Sequence, residues 1–159
     1  MKIDRQAGFT LIELLVTLAV LSVLAMMALP VAQTSVQRHR EQELRSALVK
    51  IRAAIDAYKR ASDEGRIRRE AGSTGYPPAL AVLVEGVEDQ RDPERRKIYF
   101  LRRVPRDPML ADTTIEAMPS WGLRSYRSPP DDPQEGDDVY DVYSKSQATG
   151  LNGTAYRAW

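Results

Sequence analysis

Cysteine is absent from this 159-residue sequence, and histidine occurs once, as His39. The first absence excludes a disulfide framework and any thiolate metal site, though it does not fix the compartment. The second leaves too little material for Ser-His-Asp catalysis or a multi-histidine metal centre. Net charge is only +1, so the charge balance points to neither a nucleic-acid nor an acidic partner. There is no phosphate loop, and Gly72, Gly75 and Gly86 do not form a dinucleotide fingerprint. Asp and Glu together number 22, so inventory alone does not dismiss acid–base chemistry. No nucleophile–base arrangement is visible, however, and the chain is not expected to be an enzyme.

What the sequence does have is one long apolar run, GFTLIELLVTLAVLSVLAMMALPVA, from Gly8 to Ala32. From Phe9 onward it is 24 residues with one ionisable side chain, Glu13. At a rise of about 1.5 Å per residue such a helix spans roughly 36 Å, enough for a hydrocarbon core of about 30 Å. Three readings compete. A secretory signal peptide cut near Ala32 suits the flanking Lys2 and Arg5, but its apolar region would normally be about 7–15 residues. A plain transmembrane anchor leaves Glu13 unexplained, because a carboxylate in lipid costs about 3 kcal/mol. A prepilin-type leader would end at Gly8 and leave the apolar helix on the mature chain.

Gly8-Phe9-Thr10-Leu11-Ile12-Glu13 resembles the N-terminal signature of type IV pilins and type II secretion pseudopilins. The resemblance implies cleavage between Gly8 and Phe9 by a prepilin peptidase, N-methylation of Phe9, and a role in assembly for Glu13. In that family the glutamate is thought to pair with the N-terminus of a neighbouring subunit. Independently of family, a carboxylate in the first turn is favoured by the helix dipole. The alternative is a Glu13 that sits near the headgroups and does little. Pro30 falls late in the run, where it removes one helical hydrogen bond and crowds the carbonyl of Met26, predicting a kink or local loosening there. One rule points the other way: Lys2 and Arg5 precede the run, while Arg38, Arg40, Arg45, Lys50 and Arg52 follow it. Simple charge asymmetry would keep the C-terminal part in the cytoplasm, yet long domains translocate largely regardless of charge, and the leader motif implies translocation.

Beyond Gln33 the helix is expected to continue. Leu44, Leu48, Ile51, Ile55 and Tyr58 lie on one helical face, with Ala47, Ala54 and Ala61 along its edge. The repeat is too short to favour a coiled coil, so packing on a sheet is expected. Gly65 reads as the stop, and His39, within QRHRE, reads as a solvated helix residue. The rest of the chain is rich in turns. A short helix is expected from near Pro78 through Val84, ending at Gly86. DQRDPERRK reads as a charged loop, IYFLRRVP as a short strand or packed loop, and GLRSYRS and DVYDVYS as strands.

This order, with Tyr76, Pro77, Leu80, Leu83 and Val84, then VPRDP from Val104, WGLRSY from Trp121 and DVYS from Asp141, is similar to the G-type major pseudopilins of type II secretion. The resemblance implies an α+β pilin-like fold, with a long N-terminal helix packed on a small antiparallel sheet. It divides the chain into a leader (1–8), a transmembrane and filament-core helix (9–32), the amphipathic half of the same helix (33–64) and a periplasmic globular region (65–159). It also implies a single-pass protein of the bacterial inner membrane that polymerises into a periplasmic filament. Its partners would be further copies, other pseudopilins, the prepilin peptidase, and an inner-membrane platform with its ATPase; nucleic acid is not expected. A type IV pilus or DNA-uptake pilus subunit is the alternative. Its support is the basic run Arg91, Arg95, Arg96, Lys97, Arg102, Arg103 and Arg106 with Tyr99 and Phe100.

The chain departs from that family at one point. G-type proteins bind calcium in the loop after the last-strand motif, and calcium wants several hard oxygen ligands, usually including carboxylates. Residues 145–159 contain no Asp or Glu. Asn152 and Thr154 are the side-chain oxygens left as metal candidates, and no cofactor is expected. A hydrogen-bonded turn around Gly150, Asn152 and Gly153 is expected to serve instead. The acidic cluster Asp131, Asp132, Glu135, Asp137 and Asp138 reads as a solvated loop, with a displaced cation site as its alternative. Facing basic and acidic segments could also join copies head to tail.

Overall fold

The computed structural model describes residues 9–159, apart from the side chains of residues 27–32. Residues 1–8, and with them the expected leader and Gly8, lie outside the described residues. The chain forms two compact units, Met1–His39 and Arg40–Trp159.

Helix α1 spans Leu11–Asp63 and runs without interruption through Pro30. It ends where Gly65 adopts a left-handed φ of 70°. There the Gly65 N–H donates to Ser62 O (3.0 Å) and the Arg66 N–H to Ala61 O (2.9 Å), the paired bonds of a Schellman turn. Helix α2 is one short segment, Leu80–Glu85, closed by Gly86 at φ 73°. Strands β1 (Val87–Glu88) and β2 (Lys97–Ile98) pair antiparallel, as do β3 (Trp121–Arg124) and β4 (Asp141–Ser144). A single 3-10 turn, Tyr156–Ala158, follows near the C-terminus. The architecture is α+β, with the second half of the long helix packed against small antiparallel sheets, and it is consistent with a pilin-like fold.

The core lies in the second unit. Leu44, Leu48, Ile51, Ile55 and Tyr58 of α1 are all buried, as are Ala47, Ala54 and Ala61 beside them. The 3-and-4 spacing of these residues is thus one covered stripe. Leu80 and Leu83 of α2, Val104, Trp121, Val139, Val142 and Tyr156 complete the cluster. Trp121 buries its ring and donates its indole N–H to Pro105 O at 2.7 Å, so its polar edge is satisfied.

Several local expectations need adjustment. DQRDPERRK connects a two-stranded hairpin, because Val87–Glu88 pairs with Lys97–Ile98; two-residue strands carry too little alternation to be read from sequence. In DVYDVYS only the last four residues form a strand. Residues 125–140 are irregular and held by side chains: Asp138 is buried, accepts from Tyr126 N–H (2.8 Å) and from the Thr74 hydroxyl, and is therefore not part of a solvated acidic loop.

At Gly122, opposite Tyr143 in the β3–β4 pair, an added Cβ would lie 2.2 Å from the tyrosine ring. Gly122→Ala should therefore lower stability by about 1–3 kcal/mol through overpacking, measured by thermal melting, with a smaller loss in a Tyr143→Ala background. Arg66 pairs with Asp89 (2.5 Å) and ties the segment after α1 to the β1–β2 hairpin. That hydrogen bond holds the Asp89 carboxyl below its ordinary range. Its contribution is present above the ordinary Asp pKa of about 3.9 and is lost as pH falls through the lower folded value. Acid melts of Asp89→Asn should accordingly show a shallower fall in stability than the wild type below that pH.

Candidate assembly site

Two regions carry the sequence-predicted site residues, one in each unit. In the first, Phe9 is 85 % exposed and precedes α1. Thr10 and Glu13 form a reciprocal capping box. The Thr10 N–H donates to Glu13 Oε2 at 3.0 Å, and the Thr10 hydroxyl donates to the same oxygen at 3.1 Å. The Glu13 N–H donates to Thr10 Oγ1 at 3.3 Å, and the Leu14 N–H to Thr10 O at 3.2 Å begins the helical ladder. Among the described residues Glu13 Oε1 accepts no hydrogen bond. The T-x-x-E spacing from Thr10 to Glu13 is the sequence signal of this box, with Thr10 as the capping residue beside the charge.

The described apolar side chains from Phe9 to Met26 are exposed, including Leu11, Ile12, Leu14, Leu15 and Val16. The two hydroxyls beyond Thr10 turn inward: Thr17 donates to Leu14 O (3.0 Å) and Ser22 to Leu18 O (2.8 Å). Apart from the capped end this segment presents hydrocarbon all round, as expected of a helix meant for lipid or for other helices. Among the described residues no helix is long and apolar enough to cross a membrane. The side chains of residues 27–32, which complete the apolar run in the sequence, are outside that description.

The second region is the C-terminal loop. Asn152 Oδ1 accepts from the Thr154 N–H at 3.0 Å, so the two metal candidates meet in a turn and bond to each other. Among the described residues no three acidic or histidine side chains converge as metal ligands would. A groove of about 570 Å³ is lined by Tyr58, Tyr76, Arg68, Arg69, Arg127 and Asp137, among others, and has no histidine or cysteine to act as base or nucleophile. The basic run is partly neutralised in place: Arg96 pairs with Asp92 at 2.7 Å, Arg95 lies 3.8 Å from Glu88, and Phe100 packs on Tyr58 with ring centres 5.4 Å apart. Only Tyr99 of its two aromatics stays exposed, which removes the interleaved stacking surface a single-stranded nucleic acid would use.

Residues 3–29 match the prokaryotic N-terminal methylation motif. Along most of its length the chain is similar to proteins named type II secretion system core protein G. The one from Klebsiella pneumoniae is 29 % identical over 144 residues, covering 86 % of this chain and 94 % of the relative. The one from Dickeya chrysanthemi is 28 % identical over 158 residues, covering 94 % and 95 %. The one from Aeromonas hydrophila is 30 % identical over 108 residues, covering 65 % and 68 %. No solved structure gives a significant match.

Thr10→Val would remove one donor and one acceptor of the capping box while keeping shape. The start of α1 should lose about 1 kcal/mol, read as faster amide exchange over residues 11–14 in detergent micelles, with Thr10→Ser restoring protection. Unchanged exchange would show that the box does not hold the helix start.

Proposed function

This chain belongs to the type II secretion system core protein G family, and from that premise we propose that it is a pseudopilin subunit that polymerises into a periplasmic filament serving protein secretion. The observation that carries the reading is the exposed hydrocarbon surface from Phe9 to Met26, whose only charge is capped at its very start. Such a surface gains roughly 25 cal/mol per Å² on leaving water. It therefore stays in lipid or against other copies, and passage from membrane to filament changes its free energy far less than release into water would. Extraction then needs an external source of work, which the ATPase and inner-membrane platform would supply. Other pseudopilins and the prepilin peptidase complete the set of partners. The globular unit would lie on the periplasmic side of the inner membrane.

In this reading the peptidase cuts between Gly8 and Phe9, and the new Phe9 amine is methylated. Glu13 then has two faces. Oε2 is engaged by Thr10 of the same chain, while Oε1 is available for the terminal amine of a neighbour. A misplaced neighbour would leave that charge unpaired in an apolar surrounding, so the contact sets register more than it adds stability. Pro30, by removing one hydrogen bond of α1, would loosen the helix around Met26. The role is structural, with no catalytic step assigned to any residue.

Intact-mass analysis of the membrane-extracted protein tests the processing. The expected mature chain begins at Phe9 and carries one methyl group, and sedimentable filaments should be lost in Glu13→Ala although cleavage proceeds normally. A soluble chain beginning near Gln33 would overturn the proposal.

A further inference from the structure

In this family the loop after the last strand is a calcium loop, and the residues of the loop in this chain can be tested against that ion. They do not fit it. Calcium needs carbonyl and carboxylate oxygens turned towards one point. Here several of those oxygens already face donors. Ala148 O accepts from Tyr156 N–H (3.2 Å), and Gly150 O from Gly153 N–H (2.9 Å). Thr154 O accepts from Gly150 N–H (2.9 Å) and from the Trp159 indole (3.3 Å). The Asn152 side-chain oxygen is taken by Thr154 N–H, and residues 145–159 supply no side-chain carboxylate. Packing inside the turn is also tight: a Cβ on Gly150 would fall 2.6 Å from Trp159 and 2.9 Å from Asn152 Oδ1.

Helix α1 supplies the charges that the loop lacks. Glu41 is 7 % exposed and sends Oε1 into the loop, where it accepts from Leu151 N–H (2.8 Å) and from the Tyr156 hydroxyl (2.9 Å). Arg52, about three turns further along α1, donates to the Trp159 main-chain oxygen (2.8 Å), to Val142 O (3.3 Å) and to Asp141 Oδ1 (2.7 Å). Asp141 is the carboxylate on the strand that leads into the loop, and the guanidinium already neutralises it. Arg45, between the two, lies 4.6 Å over the Trp159 ring. A divalent cation brought to this region would meet two arginines and find its anionic ligand occupied.

We propose that Glu41 and Arg52 form a protein-built clamp that closes the C-terminal loop in place of calcium, so that this subunit reaches its assembly-competent fold independently of that ion. The anion of the clamp organises loop N–H and O–H groups, and the cation organises loop oxygens. Together they do from the helix side what a metal does from the centre of a loop. The inference concerns the fold of the globular unit and does not depend on whether the chain forms filaments.

The test uses the full chain in detergent micelles. Thermal melting followed by tryptophan fluorescence is run with chelator and with excess calcium, and terbium is added as a luminescent calcium probe that Tyr156 or Trp159 would sensitise. The expected result is coincident melting curves and no sensitised emission. A midpoint that falls on chelation and recovers with calcium, or terbium emission quenched by calcium, overturns the proposal. In parallel, Glu41→Gln and Arg52→Met should speed native-state trypsin cleavage after Lys145 and Arg157 severalfold, and calcium should not reverse this. Cleavage at the wild-type rate in both variants would equally overturn it. Should either variant fail to fold, the wild-type melting and terbium measurements still decide the matter.

Discussion

A helix can bury only the faces for which it has partners, and α1 has partners along part of its length. Between Leu44 and Ala61 a single stripe is covered by α2, the strands and the loops, while the opposite side carries solvated charges such as Lys50 and Asp56. Between Phe9 and Met26 there is no polar side to leave in water, and among the described residues nothing covers the apolar one. That imbalance determines what the molecule must do. An apolar surface exposed all round is not a defect to be tolerated in one subunit; in the function proposed above its partners lie outside the chain, in lipid or in further copies. Since either environment satisfies it nearly equally, hydrocarbon burial alone cannot specify how copies align. Specificity has to come from the few polar groups that lie among the apolar ones.

Thr17 and Ser22 cannot provide it, because each returns its hydroxyl to the carbonyl of its own helix. In the proposed assembly Glu13 would provide it, because a carboxylate has two oxygens and its helix start uses only one of them. The capping box reconciles two needs that first appear opposed. Thr10 gives the charge local hydrogen bonds, which reduces the penalty of holding it at the head of an apolar helix. It also fixes the direction of the remaining oxygen. A carboxylate that was entirely unsatisfied would be hard to keep in lipid, and one entirely satisfied would have nothing to recognise.

How far the sequence could be read follows from which interactions were local. The stripe from Leu44 to Tyr58, the stop at Gly65 and the short helix ending at Gly86 are local patterns, and each appears in the structure as its spacing implied. The leader motif and the ordered series of later segments were legible enough to indicate the family. The β1–β2 hairpin was not, since two residues per strand leave no period to detect. Nor could the roles of Glu41 and Arg52 be seen. Their partners are 110 and 115 residues away for Glu41 and 89 to 107 away for Arg52, and on a helical wheel both read as ordinary surface charges. Thr10, by contrast, stands three residues before Glu13, and that local spacing carries its role in the sequence itself.

The abundance of carboxylates, which left acid–base chemistry open on inventory, has a different explanation in the fold. Strands of two and four residues satisfy few backbone groups, so long irregular segments must find other acceptors for their N–H donors. Aspartates and glutamate supply them. Asp107, fully buried, accepts from Met109 N–H (2.8 Å) and the Ser144 hydroxyl (2.6 Å), joining its loop to β4. Asp138 accepts from Tyr126 N–H across the 125–140 connection, Asp89 from Arg91 N–H in the hairpin, and Glu41 from Leu151 N–H in the C-terminal loop. Each carboxylate accepts at least one main-chain N–H that no strand ladder satisfies. Their scatter among the described residues is what a loop-rich fold with short strands demands of them.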